Sequence, residues 1–298
     1  MTTAETPRQI AWKRRRDGLI RSWHGFAGQK PALIGLILLG ATVVVALLLP
    51  LISDENGLDV TKATGGALRP PSADYWLGTD NYGRSVLLMT MWGSRISLLV
   101  GFSAALLSVV IGTLIGITAA HFGGWVSGTL LRFTDFFLVL PSLILAIALS
   151  AVMPKGVGTI ILAIGLTAWP STARLVRAQT LTIESRPYIE RAHALGGGHL
   201  HVIGKHVLPG VMPLVLANTT LVVGNAVIAD ATLSFLGVGD PNSITWGLVL
   251  ENALNNGAIS AGAWWNVLPP GIAIVLVVLM FTLVGRGLET VFNPRLKK

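Results

Sequence analysis

Long, charge-poor apolar runs constrain this chain more than any other feature. Six of them, at about 32–52, 96–120, 130–153, 157–175, 208–228 and 265–288, are each about as long as a helix that crosses a hydrocarbon core, which takes roughly 20 residues. A soluble protein with buried helices rarely runs that far without a charge. Composition agrees: 52% of the 298 residues are hydrophobic and 12% are charged, half the roughly 25% of a soluble domain. The expected fold class is therefore all-α, a polytopic membrane protein of about six transmembrane helices. The first run begins only at Ala32 and exceeds a signal-peptide core, with no small-x-small cleavage site after it. It is expected to stay as an anchor.

The basic residues set an expected orientation. Before the first run stand Arg8, Lys13, Arg14, Arg15, Arg16, Arg21 and Lys30, against Glu5 and Asp17. The positive-inside rule places that end in the cytoplasm. Alternation through six helices then assigns every loop. Seventeen Lys and Arg fall inside, including Arg132, Arg174, Arg177, Arg186, Arg191, Lys205 and Arg286, and five fall outside: Lys62, Arg69, Arg84, Arg95 and Lys155. Both termini are expected in the cytoplasm. The net charge of +8 is distributed beside apolar helices rather than as a nucleic-acid face, so no nucleic-acid partner is expected. The Lys13–Arg16 run sets topology, with attraction to membrane lipid as a by-product.

The chain divides into an N-terminal cytoplasmic segment, 1–31, and a transmembrane domain, 32–298. Three stretches fall outside the spans: an outer segment at 53–94, an inner one at 176–207, and an outer one at 240–263. Trp246, Trp264 and Trp265 are expected as interfacial anchors on a short helix across the outer surface. Pro141 should bend the third span. Gly112 and Gly116 have the GxxxG spacing that permits close helix contact.

The inner segment carries the most information. Residues 185–213 read SRPYIERAHALGGGHLHVIGKHVLPGVMP. Pro187 suits a first helical turn after Ser185 or Arg186. Ile189, Ala192 and Leu195 or Gly196 recur at helical spacing, and Gly196, Gly197 and Gly198 stop the helix. A short glycine-capped helix with small residues on one face suits docking into a groove on a soluble partner. On spacing alone a plain connector fits as well.

This stretch resembles the EAA loop of ABC-importer permeases, E-A-A, three residues, G, nine residues, I-x-L-P. Glu190, Arg191, Ala192 and Gly196 stand at its first four positions, and His206, Leu208 and Pro209 stand at its I, L and P. Arg191 and His206 depart from the pattern while the Glu–Gly–Leu–Pro spacing is kept. The resemblance narrows to the dipeptide/oligopeptide permease group on three further motifs. These are WLGTDNYGRSVLLMTMWGSRIS at 76–97, DATLSFLGVG at 230–239, and the P-G…L-x-G-x-G-L…N-P form at 268–294. Ser85, Asp230 and Arg286 are departures within them.

The resemblance implies a type I ABC importer permease fold and a bacterial inner or plasma membrane location. It also implies a heteromeric machine: a second, homologous permease, two ATPase subunits and an extracytoplasmic substrate-binding protein. Di- or oligopeptides are the expected cargo, with nickel-chelator complexes or haem as the alternative within the same machinery. A membrane-anchored receptor or scaffold is the alternative of another class, and it should lack an EAA loop. Tyr188, Glu190, Arg191, Ala192, Gly196, His206, Leu208 and Pro209 are implied to couple the chain to an ATPase.

No catalytic residue and no cofactor is expected in this chain, with ATP and Mg²⁺ on the partner ATPases. A phosphate-cradling loop needs G-x-x-x-x-G-K-[ST]; Gly204–Lys205 is followed by His206, and Gly198 lies one residue too far. The chain has no cysteine, which excludes thiolate chemistry and cysteine-based metal sites. His193, His199, His201 and His206 invite a metal reading, but a docking loop accounts for the region and no metal site is expected. Arg132 and Asp135 are read as an i,i+3 pair. Asn218, Asn225 and Asp230 are candidates for the translocation path, Asp230 because an ionisable group at membrane depth calls for a function.

Overall fold

The computed structural model describes residues 7–292, and the described residues form an all-α bundle. Its helices are α1 (Pro7–Ala27), α2 (Lys30–Ile52), α3 (Val86–His121), α4 (Gly124–Val139), α5 (Ser142–Val152), α6 (Val157–Glu184), α7 (Pro187–Ala194), α8 (His199–Val202), α9 (Leu208–Phe235), α10 (Trp246–Asn255) and α11 (Leu268–Phe292). Five helices, α2, α3, α6, α9 with its preceding turns, and α11, are long and apolar enough to cross a membrane; α4 and α5 make a sixth if counted as one span. The Asn293–Pro294 pair that closes the last motif lies outside the described residues.

Between α4 and α5 the chain turns by 87°. The cause is Pro141. A residue before proline is driven out of the helical region, and Leu140 (ψ 128°) and Pro141 (ψ 114°) are both extended. The expected bend is thus a full break, and Pro141 sits ahead of α5 rather than inside a helix.

α3 is the axis of the bundle. Val100, Ala104 and Ala105 pack with Ile160, Ala163 and Ile164 of α6 and with Val223, Ala226 and Val227 of α9. Gly112 and Gly116 let α3 and α6 touch: a Cβ on Gly112 would come within 2.7 Å of Thr172 Cβ, and one on Gly116 within 2.9 Å of Val176 Cβ. Peripheral α2 turns Ile37, Leu47 and Leu51 outward, as a lipid-facing helix requires.

These contacts fix the sense of each helix. Gly112 against Trp169 and Thr172, then Gly116 against Ala173 and Val176, make α3 and α6 parallel. Gly101 against Val227 at one end, and Val109 and Ile117 beside Val211 and Val215 at the other, make α9 antiparallel to both. Ala32 and Phe26 against Gly287 bring α1, the start of α2 and the end of α11 together. One face of the bundle therefore carries α1 and the 185–207 segment. The opposite face carries 53–85 and 236–267.

On that opposite face the LGTD motif is structural. Arg84 ties Asp80 with Nε and Nη2, each 2.7 Å from Oδ2. Thr79 O accepts from Trp265 Nε1 (3.2 Å) and Asn266 Nδ2 (3.1 Å), pinning the loop to the start of α11. Trp246 corrects the expectation of an interfacial anchor. It is 1% exposed, packs in the main core and donates from Nε1 to Thr90 O at 2.8 Å. Trp264 is exposed.

Several boundaries differ from those read in sequence. α3 begins ten residues earlier, at Val86, where Ser85 caps Leu88 N. α6 runs to Glu184, so the inner segment starts at 185 rather than 176. Arg177, Gln179 and Glu184 make that last stretch look like loop, but Val176 and Ile183 hold it in a core with α9. The Arg132–Asp135 pair is replaced: Asp135 Oδ1 accepts from Arg174 Nη2 at 2.7 Å, joining α4 to α6.

Candidate functional site

The 185–207 segment is built from the ends of other helices. α7 starts at Pro187 after an extended Arg186, where a proline loses no helical hydrogen bond. It stops in a Schellman turn: Gly197 N donates to Ala192 O and Gly196 N to His193 O, both at 2.9 Å. Gly196 takes φ +85°, a left-handed conformation that favours glycine. A Cβ there would meet nothing within 4 Å. The glycine answers the backbone, with open space outside it.

The outward face of α7 is not the one that the spacing of Ile189 and Ala192 marks in sequence. Ile189 turns inward, 3% exposed, into a core with Val176, Ile183, Val202, Val207 and Val211, and Ala192 packs beside it. The outward residues are Tyr188, Glu190, Arg191 and Leu195, the last 88% exposed, joined by Leu200. Tyr188, Arg191, Ala192, Gly196 and His206 line one hollow of about 500 Å³ with Leu195 and His201. Leu208 is half-buried against the same core and Pro209 opens α9. A π-helical turn at Ile203–Val207 leads into it.

Sequence reasoning missed the residue that ties this segment down. His121, the last residue of α3, has a side chain 3% exposed. Its Nδ1 lies 2.5 Å from Glu184 Oε1 at the end of α6, and its Nε2 lies 2.8 Å from His199 Nδ1. An ionised carboxylate only accepts, so Nδ1 donates to Glu184, while Nε2 and His199 Nδ1 share one further hydrogen bond. One imidazole thus joins α3, α6 and α8. The signal was a histidine closing a long apolar run, which carries no meaning until Glu184 and His199 are seen beside it. His193 stacks 6.4 Å from His121 between ring centroids. No group of three His, Cys, Asp or Glu among the described residues is placed to hold a metal.

Deeper in the bundle, α3, α5, α6 and α9 enclose a cavity of about 130 Å³. Its lining is mostly small and apolar, with the hydroxyls of Ser108, Ser142, Thr167 and Ser171 among the alanines, and Asn225 reaches it from α9. Asn218 stands apart from the lining and donates to Thr172 Oγ1 at 3.2 Å, bracing α9 on α6. Asp230 is also away from it, 1% exposed beside Ser97, and its Oδ2 has no hydrogen-bond partner among the described residues.

Comparison with known proteins agrees with this architecture. Residues 112–298 match the family described as the binding-protein-dependent transport system inner membrane component. The chain is similar to the oligopeptide transport system permease protein OppC of Bacillus subtilis, 33% identical over 290 residues, covering 96% of this chain and 90% of that one. It is also similar to the dipeptide transport system permease protein DppC of the same organism, 34% over 278 residues (93% and 86%). A third relative, DppC of Alkalihalophilus pseudofirmus, is 32% identical over 269 residues (90% and 87%).

Proposed function

Because the chain belongs to the family of binding-protein-dependent transport system inner membrane components, we propose that it is one permease of an ATP-driven importer of di- or oligopeptides. It forms half of the pathway with a second permease. ATP hydrolysis is left to two separate ATPase subunits, and an extracytoplasmic binding protein delivers the peptide. The relatives named as oligopeptide and dipeptide permeases support the cargo.

One observation carries the coupling role. α7 presents Tyr188, Glu190, Arg191 and Leu195 outward while Ile189 and the His121 ring fasten its base to α6, α3 and α9. A short helix held that rigidly transmits displacement: a push on its outer face moves the ends of the helices around the cavity. The α1 face is then the cytoplasmic one. The small side chains around the cavity, with the Ser108 and Ser142 hydroxyls and Asn225 among them, suit a pathway that selects little among peptide side chains.

The test is Gly196→Trp in the assembled transporter. A side chain at φ +85° is strained, and an indole there fills the space an ATPase would enter. Uptake of peptide is expected to vanish while the protein inserts at normal level, and loaded binding protein should no longer stimulate ATP hydrolysis, since coupling needs both sites to bias one element. Glu190→Ala should weaken capture of the ATPase from detergent, with Asn255→Ala on the opposite face as the control. Normal transport by Gly196→Trp in an intact complex would leave this segment a connector.

A further inference from the structure

The 185–207 segment departs from the EAA pattern at Arg191 and His206, where that pattern has alanine and isoleucine. Both residues line the same hollow of about 500 Å³. Tyr188 and His201 join them there, with ring centroids 6.0 Å and 6.1 Å from that of His206. A guanidinium and an imidazole thus stand around one space where the pattern has a small and an apolar residue. No carboxylate answers them. Among the described residues no Asp or Glu lines the hollow, and Arg191 makes no ion pair.

The other two histidines of the segment are a contrast. His199 reaches Glu184 through the His121 ring, and His193 stacks beside that ring, so this group carries its own carboxylate. The hollow does not, and Glu190, next to Arg191 in the chain, is outside its lining. A guanidinium is matched best by a planar acceptor with two oxygens, because its fork of donors fits a carboxylate. Imidazoles beside it gain charge readily as an anion approaches. The rim is apolar: Leu195 lines the hollow 88% exposed, and Leu200 beyond the glycines is 85% exposed. Leucines uncovered to that extent call for a macromolecular cover, and the hollow is far larger than a bound ion needs.

We infer, on the footing of the coupling role proposed above, that this hollow receives an acidic side chain of the partner ATPase, held by Arg191, His201 and His206 and sealed by Leu195 and Leu200. Arg191 and His206 thereby select which ATPase this permease accepts. An ATPase with lysine or arginine at the contact point is rejected, since like charges brought together under an apolar rim are costly and are how an interface excludes wrong partners.

Capture of the ATPase in detergent by full-length chains inserted at normal level tests this. Arg191→Glu with His206→Glu should weaken capture by about tenfold or more, as loss of a desolvated charge pair does. Arg191→Ala with His206→Ile, which restores the pattern, should weaken it as well. Lys205→Glu makes the same change of charge on an exposed residue outside the hollow, and capture should stay within about twofold. One acidic-to-lysine replacement on the ATPase should then restore capture by the doubly acidic chain and weaken capture by the unmodified one. An equal loss with Lys205→Glu would reduce the hollow to general charge, and a scan of the ATPase with no restoring replacement would leave it without an acidic occupant. Either overturns the inference, and so does saturable binding of ATP or inorganic phosphate that Arg191→Glu abolishes. Capture that falls with Glu190→Ala but ignores the Arg191 and His206 changes overturns it while the coupling role stands. Capture indifferent to both sets overturns the two together.

Discussion

His121 shows how much one side chain can hold. It closes α3 with two hydrogen bonds, one to the end of α6 and one to the start of α8, at a place where all three meet the 185–207 segment. His121→Ala leaves the half-buried Glu184 without its donor and releases His199, at a cost of about 1–3 kcal/mol for an orphaned buried polar group. Amide exchange across 199–207 should rise, and peptide moved per ATP hydrolysed should fall while the ATPase still binds. His121→Gln keeps one donor towards Glu184 and should recover part of the protection. Unchanged exchange in the alanine variant would show that the ring is no tether. Little of this was legible beforehand. Glu190, Gly196 and Pro209 stand at fixed spacing in one segment, so a linear reading reaches them. His121 is 63 residues from Glu184 and 78 from His199, and only the parallel run of α3 and α6 brings them together.

Among elements, the α3–α6 crossing governs the bundle, because it sets where both helix ends arrive. Gly116 is the tightest point with a simple test: its added Cβ would stand 2.5 Å from Ala173 O and 2.9 Å from Val176 Cβ, and backbone cannot step aside cheaply. Gly116→Ala should destabilise the purified protein by about 1–3 kcal/mol, as overpacking does, seen as a lowered Tm in detergent. Gly128→Ala in α4, with nothing within 4 Å, is the matched control and should be near neutral. Equal Tm values would mean the helices are not in contact there. The GxxxG spacing was visible in sequence, but its partner was not, since small residues pack against anything. Helix existence was legible from hydropathy alone. Helix ends were not: polar Arg177, Gln179 and Glu184 read as loop, although Val176 and Ile183 between them keep α6 helical by packing on α9. Trp246 went astray for a related reason, because an indole beside a span fits an interface and a core equally until Thr90 O is found at its nitrogen.

At the scale of the whole molecule, the helix senses impose sidedness before any lipid is considered. α3 and α6 run parallel, so the α4–α5 pair between them must return the chain across the bundle, and α9 and α11 then alternate. The 185–207 segment, α1 and the end of α11 share a face by these contacts; the basic residues read in sequence cluster on that same face, from Lys13, Arg16 and Arg21 to Arg186, Arg191 and Lys205. Two independent lines thus agree on which loops lie together, one from packing and one from charge, and charge alone says which compartment they meet. The prediction is that this face is cytoplasmic. Cysteines introduced singly at Asp59 and Ser260, both exposed on the opposite face, should react in intact cells with a thiol reagent that cannot cross the membrane. One at Gly198, exposed beside α8, should react only after the membrane is opened. Because the bundle fixes which positions share a side, the three residues cannot be rearranged independently. Labelling of Gly198 alone in intact cells would invert the orientation and leave the fold standing, whereas labelling of Gly198 together with Asp59 would break the six-span count itself.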